Sequence, residues 1–562
     1  MKIIVFLGIV FLTMGHQMAY SDRNDGADLL FIHGHVITMN DDLPQAEAVV
    51  IKNGKIIYVG NNKQAMMLAG RYSKVINLHG RTMIPGFHDV HIHALEAGSE
   101  VGGNCWLKGS RLKALKPQLL SCLQKQQGTD WLLAYGHELE TLLEESQDPR
   151  GLLDSWINDR PVAIMEQSSH SVWANSKALI AAGITASDKN PRGGIIMRYT
   201  SGPRVGEPNG ILLETAGEQV YDLALKPNPT AALINYEGLQ WVMDELPQFG
   251  ITSISDARVY WKRGWLKVWH QAEENEDLTV RVNLGLWAYP NEDDESQIEY
   301  LKKQFRYDPE RLMQINQIKI YSDGIIHNTT AALKEPYNVS LYGVPATGLN
   351  YFDEQRLTKY IARLQPSGYD FHIHTIGDRG VHEALNAIEN NRSEKPDHRH
   401  RLTHVEMIDD DDLPRFAKLN AIADMQVAGK FTLPENQYWQ EPYLGKRAFR
   451  TYRLKDLHDS GAHYVLSSDW TVNDLNPFIG IHNAVNRGEQ SITVEQALNA
   501  YTKAAAYVMR SEKRTGSIET GKEADLVVID RDILAVPRKS IKNIRVLLTM
   551  LSGQVTYQSA EM

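Results

Sequence analysis

Two cysteines in 562 residues, Cys105 and Cys122, are too few to frame a disulfide-built scaffold. They could pair, or stay as two small buried apolar residues; free thiols are favoured, because a core of this size needs no staple. Basic residues do not dominate either. With 59 Lys+Arg against 69 Asp+Glu the formal charge is −10, which argues against a nucleic-acid partner held by phosphate contacts. Beyond the first residues no apolar run approaches the roughly 20 needed to span a bilayer, so no stable membrane anchor is expected. No G-x-S-x-G elbow, Walker string or G-x-G-x-x-G opening a helix occurs. Fixed-period repeats and low-complexity tracts are also missing.

What is present has the balance of a folded globular protein, 43% hydrophobic and 23% charged. The length fits two to four domains, or one large barrel with additions. At the start, Lys2 precedes the apolar stretch Ile3–Met14, with small residues at Ala19 and Ser21. That order reads as a secretory signal over residues 1–21, with a mature chain starting at Asp22 in the periplasm or outside the cell.

From Ala27 to Val59 the pattern is of short strands and turns, with Asn53–Gly54 as a hairpin signal. After Pro85–Gly86 apolar strands alternate with helical stretches. The candidate strands are Val90–His93, Thr252–Ser255, Val280–Trp287, Gln317–Tyr321, Phe371–Thr375, Leu402–Glu406, Ile422–Gln426 and Tyr464–Ser468. Such alternation predicts an α/β fold, a TIM-type (β/α)8 barrel over 84–515. The gap between the first two strands is too long for one connection, so an inserted subdomain is expected over about 97–245. The stretch 516–562 reads again as strands, which predicts a small β-sandwich domain formed with 22–83 by both chain ends.

The densest chemical signal is Pro85-Gly86-Phe87-His88-Asp89-Val90-His91-Ile92-His93. Alternation puts His91 and His93 on one face of a strand, and two imidazoles at a barrel-strand end suit a Zn²⁺-type ion. Alone the pair is weak. It gains weight from His374, His404 and Asp469, each ending a further candidate strand. His88 is on the opposite face from His91. His372 is read as out of phase with His374 and facing away, and Asp89 as a deeper, structural residue.

These strings resemble the amidohydrolase superfamily, whose first-strand motif is P-G-F-x-D-x-H-x-H. The likeness is to its YtcJ-like branch (amidohydrolase 3), which includes N-substituted formamide deformylases. Further matching strings are Ser169–Leu179, Ile318–Gly324, His374–Arg379, Arg399–His404, Ser468–Trp470 and Gly516–Leu526. The resemblance implies His91, His93 and Asp469 around an inner divalent ion, and His374 and His404 around an outer one. If only one ion binds, His374 or His404 is free to move protons or orient substrate. Lys319 is the lysine that the superfamily often converts to an N6-carboxylated bridge; the plainer reading is a lysine paired with Asp323. His170 and Asp323 are pocket candidates, and Trp173 is as much a core residue as a substrate platform. Two departures stand out. Thr403 replaces a Glu, and Gln426-Val427-Ala428-Gly429 replaces a Q-P-x-H string, which bears on pocket shape and substrate class rather than on the metal core.

The resemblance implies hydrolysis of a carbon–nitrogen bond in a small-molecule amide or formamide by a metal-activated water, with Asp469 as the catalytic proton carrier and zinc as the expected ion. A homodimer is compatible with it. Rival readings are a cyclic-amide or ester hydrolase or a deaminase on the same core, and a non-catalytic exported binding or regulatory protein.

Overall fold

The computed structural model describes residues 26–99, 105–109, 111–125, 130–392 and 397–562; the expected signal at 1–21 lies outside them. Eight strands form one parallel sheet in sequential order: β1 (Phe87–Ile92), β2 (Ile251–Val259), β3 (Arg281–Trp287), β4 (Met313–Tyr321), β5 (Asp370–Thr375), β6 (Arg401–His404), β7 (Ile422–Met425) and β8 (His463–Leu466). All eight coincide with the strands expected from the sequence. The ends of the sheet meet through a bridge between Ile92 and Trp470. There Asp469 N–H donates to His91 O at 2.8 Å, and His93 N–H to Trp470 O at 2.8 Å. The sheet therefore curls into a nearly closed barrel. Most of its strands are buried on both faces, as a parallel sheet covered by helices requires.

Helices fall where the amphipathic period placed them, for example Glu354–Leu364, Asp378–Asn390 and Leu413–Leu419. Near the end of the barrel, two helices, Val494–Tyr501 and Lys503–Val508, are separated at Thr502. Between β1 and β2 the chain builds a five-stranded sheet ordered Gly194–Arg198, Pro208–Glu214, Ser171–Ala174, Val162–Glu166, Leu132–His137. These strands lie in the stretch expected to hold an inserted subdomain, but none of them was read from the sequence. At the other side of the barrel, Leu526–Ile529 pairs antiparallel with Thr82–Pro85. Both chain ends thus share a six-stranded sheet, packed with a four-stranded one around Phe31, Val36, Ile51, Met83, Leu526 and Met550.

The cysteines correct the expectation of free thiols. Cys105 and Cys122 form a disulfide with Cα atoms 5.6 Å apart. Cys122 falls on the buried stripe of helix Leu112–Lys125, after Leu115 and Leu119. Cys105 is fixed beneath it by the hydrogen bond from Tyr135 N–H. Helical phase and strand pairing, set independently, bring the two together. No helix among the described residues is long and apolar enough to cross a membrane.

Candidate metal centre

The strand ends β1, β4, β5, β6 and β8 deliver their polar side chains to one point. His91 Nε2 and His93 Nε2 lie 3.3 and 3.0 Å from Asp469 Oδ1, and His404 Nδ1 lies 4.0 Å from Asp469 Oδ2. Lys319 Nζ is 3.4 Å from His91 Nε2. The ring centroids of His374 and His404 are 4.5 Å apart. All six predicted ligand residues are therefore gathered at the barrel mouth. Two are held in the left-handed backbone region, His404 at φ 74° and Asp469 at φ 57°. Such conformations cost about 1–3 kcal/mol each and persist where the surroundings enforce them.

Two of the imidazoles are oriented through their other nitrogen. His91 Nδ1 lies 2.6 Å from Thr403 Oγ1, and His374 Nε2–H donates to Gly324 O at 3.2 Å. The second bond leaves His374 Nδ1 buried without a partner. Buried polar atoms rarely stay unpaired, so an orphaned imidazole nitrogen among three other histidines and a carboxylate fits a divalent cation. Burial pushes His91 and His374 well below the usual imidazole range, and His404 down to about 3. These rings are thus neutral, as ligands must be. Burial also pushes the Lys319 ammonium well below its usual range. At Asp469 burial opposes ionisation, yet the hydrogen bond from His93 and the proximity of His404 and Lys319 hold its carboxyl below the ordinary value.

Other expectations are corrected. His372 does not face away: residues two apart on a strand share a face, so it lies one rung below His374. Its Nε2 is 3.1 Å from His91 Nδ1, and Arg401 donates to its Nδ1 at 2.6 Å. Asp323 does not line the cavity above the ligands, although its Oδ1 lies 4.0 Å from His374 Nε2. It lies beyond the end of β4, where strand alternation no longer applies, and accepts N–H bonds from Ala332, Ile376 and Gly377 at 2.8–3.0 Å. Burial raises its carboxyl to about 7. Trp173 is fully buried in the insert, with Nε1–H donating to Pro149 O and its ring edge-on to Trp156. It is core, not platform. Thr403 sits beneath His91 rather than on the pocket wall, so the departure from Glu touches ligand orientation.

Above the ligands opens a cavity of about 520 Å³, lined among others by His170, Arg258, Tyr321, His327, Glu406 and Trp439. Sequence reasoning found only His170 of these. Arg258 reaches the cavity through a two-toothed ion pair with Glu96, 2.7 Å at each oxygen, and a bond to Tyr321 Oη at 2.7 Å. His327 Nε2 lies 3.1 Å from Glu166 Oε1, in the insert. Burial works against the His327 cation, but Glu166 outweighs it and raises the imidazole to about 9. No local motif announces these residues, because their partners come from distant segments.

The amidohydrolase-family profile matches residues 74–557. YtcJ of Bacillus subtilis is 27% identical over 94% of this chain and 99% of its own. An N-substituted formamide deformylase of Arthrobacter pascens is 24% identical over 94% and 98%. An uncharacterized metal-dependent hydrolase of Pyrococcus horikoshii shares the fold with a TM-score of 0.70 at 23% identity, over 91% of this chain and 99% of that one. With the profile spanning the barrel, its insert and the C-terminal strands, the chain is an enzyme of the amidohydrolase family.

Proposed function

We propose that the protein hydrolyses the carbon–nitrogen bond of a small amide- or formamide-type molecule with the help of one or two divalent ions. The observation that carries this reading is the convergence of His91 and His93 on Asp469 at the floor of the cavity. His91, His93 and Asp469 would hold an inner ion. His374, through Nδ1, and His404 would hold an outer one, with a carboxylated Lys319 between them. Imidazole and carboxylate donors suit zinc. When bound, such an ion polarises a carbonyl and lowers the pKa of water toward neutrality. Asp469 accepts the proton of the attacking water and returns it to the leaving nitrogen. His170, from the insert, faces the substrate beside His374. The cavity volume falls in the range of small-molecule sites, and the A. pascens relative carries an N-substituted formamide in its name.

The test is a panel of N-substituted formamides, longer N-acyl amines, cyclic amides and esters, assayed on zinc-loaded protein with metal content measured. Cleavage of formamides or open amides is expected; turnover of esters or cyclic amides alone would replace the reading. The same function is proposed to operate outside the cytosol. Terminal sequencing from a native envelope fraction should begin at or near Asp22, and an intact Met1 on cytosolic protein would defeat export.

A further inference from the structure

We propose that the cavity above the ligands takes amides carrying a flat, uncharged group of aromatic size, seated against Trp106 of the insert and against Phe431 and Trp439 of the segment after β7. The inference rests on the amide reading above and narrows its substrate class.

Three large rings stand at the cavity wall without being buried. Trp106 is 51% exposed, Phe431 is 38% exposed and Trp439 is half-buried. Rings of this size ordinarily bury most of their surface. A cluster of them left open at one cavity marks a place for an apolar ligand. Each ring is held. Trp106 packs on Tyr135 at 4.6 Å between centroids, and Tyr135 Oη donates to Gln167 O. Trp439 Nε1–H donates to Phe431 O at 3.2 Å, which ties the two residues together and occupies the one polar atom of the indole. Phe431 lies over Gly429, where a Cβ would fall 2.6 Å from its Cε1. That glycine closes the string Gln426–Gly429, so the departure noted in the sequence makes room for a ring in the wall. Ile325, Ile326 and Ile376 continue the apolar surface.

The charges on the wall point the same way. Each basic side chain above the ligands already faces an acid: Arg258 meets Glu96 at 2.7 Å, His327 meets Glu166 at 3.1 Å and His170 meets Glu214 at 2.5 Å. Glu140 and Glu406 also line the cavity. They accept from Tyr443 Oη at 3.2 Å and Gln440 Nε2 at 3.1 Å rather than from a cation. An anionic substituent would therefore meet two acids and no unmatched base among the described residues. Such a wall selects by repulsion as well as by fit. A neutral ring meets only the fit.

The experiment measures kcat/KM on zinc-loaded protein for N-methylformamide, N-(2-phenylethyl)formamide, the latter with a para-sulfonate on its ring, and N-methylbenzamide, which puts the ring on the acyl side. One methylene in an apolar pocket is worth at least about 10-fold, so one of the two neutral aryl amides should exceed N-methylformamide by at least about 100-fold. The sulfonate should fall at least about 10-fold below its neutral parent. Trp106→Ala and Trp439→Ala should each cut the aryl-to-methyl ratio by at least about 10-fold. Equal turnover of methyl and aryl amides by wild type would overturn the inference while leaving amide hydrolysis standing, and needs no variant. An unchanged ratio in both variants would overturn it too. If no amide is cleaved, the amide reading falls and calorimetry decides the inference by itself. In that case 2-phenylethanol should bind at least about 10-fold more tightly than its para-sulfonate, and less tightly to Trp439→Ala than to wild type. Equal binding of the two probes, or none, would overturn the aromatic seat as well.

Discussion

At the scale of single residues, the centre separates holding an ion from moving a proton. Asp469 is 3.0 Å from His93 and 3.3 Å from His91, so it can do both. An amide oxygen still ligates but does not accept the proton. Asp469→Asn should therefore lose about 10²–10⁴-fold in kcat even when excess zinc restores full occupancy; near wild-type turnover at full occupancy would leave Asp469 as a ligand alone. Lys319 carries a different expectation. An ammonium 3.4 Å from His91 Nε2 cannot ligate a cation, whereas a carbamate can. Two ions about 3.5–4 Å apart are expected in the loaded protein. Lys319→Ala should lower metal content and activity together, with partial rescue by small carboxylates. Full activity in that variant would dismiss the bridge.

At the scale of elements, the insert is joined to the barrel by acids from its sheet. Glu166 accepts from Ser168 and Ser171 in the insert and is paired with His327 of the loop after β4. Burial opposes the Glu166 charge, but His327 outweighs it and lowers the carboxyl to about 2. The linkage signs follow. His327, raised to about 9 from 6.5, contributes fully below about pH 6.5, and its contribution is lost as pH rises through 9. Glu166 contributes above its usual value of 4.5, losing that contribution as pH falls toward 2. The gap in Tm between wild type and His327→Gln should thus be widest near pH 4.5–6.5 and close on the alkaline side by about pH 9; a pH-independent gap would mean that packing, not charge, joins the elements. The disulfide acts on the same region. It closes a loop between positions 17 apart, for which chain entropy alone gives about 3 kcal/mol. Cys105→Ser/Cys122→Ser should lower the stability of the insert by about that amount in denaturant melts. Trp106, beside Cys105, lines the cavity, so KM should rise as well.

At the scale of the molecule, the barrel, the insert and part of the end sheets share one large buried core, so the metal centre and the fold are coupled. Ligands from β1, β5, β6 and β8 are brought together only in the native state. An ion bound there stabilises by mass action, about 4 kcal/mol at a thousand times its dissociation constant. Chelation should therefore lower Tm by several degrees and make the protein more open to protease, with recovery on adding zinc. An unchanged Tm would place the ion outside the folding equilibrium.

The barrel and the candidate ligands were legible in the chain alone. Strand alternation is local, so eight apolar runs, the His91/His93 face and the strand-end positions of His374, His404 and Asp469 are legible without partners. The same rule, miscounted at His372, misplaced that ring, and it does not reach Asp323 beyond the end of β4. Tertiary structure alone decided the rest. His170 meets Glu214 across 44 positions, Thr330 meets Glu214 across 116 and His327 meets Glu166 across 161. Whether Trp173 faced core or substrate, and whether Cys105 met Cys122, was likewise set by packing. A hydrogen bond or a shared cavity between segments so far apart leaves no periodic trace in either one, because each segment satisfies its own helix or strand without knowing its neighbour.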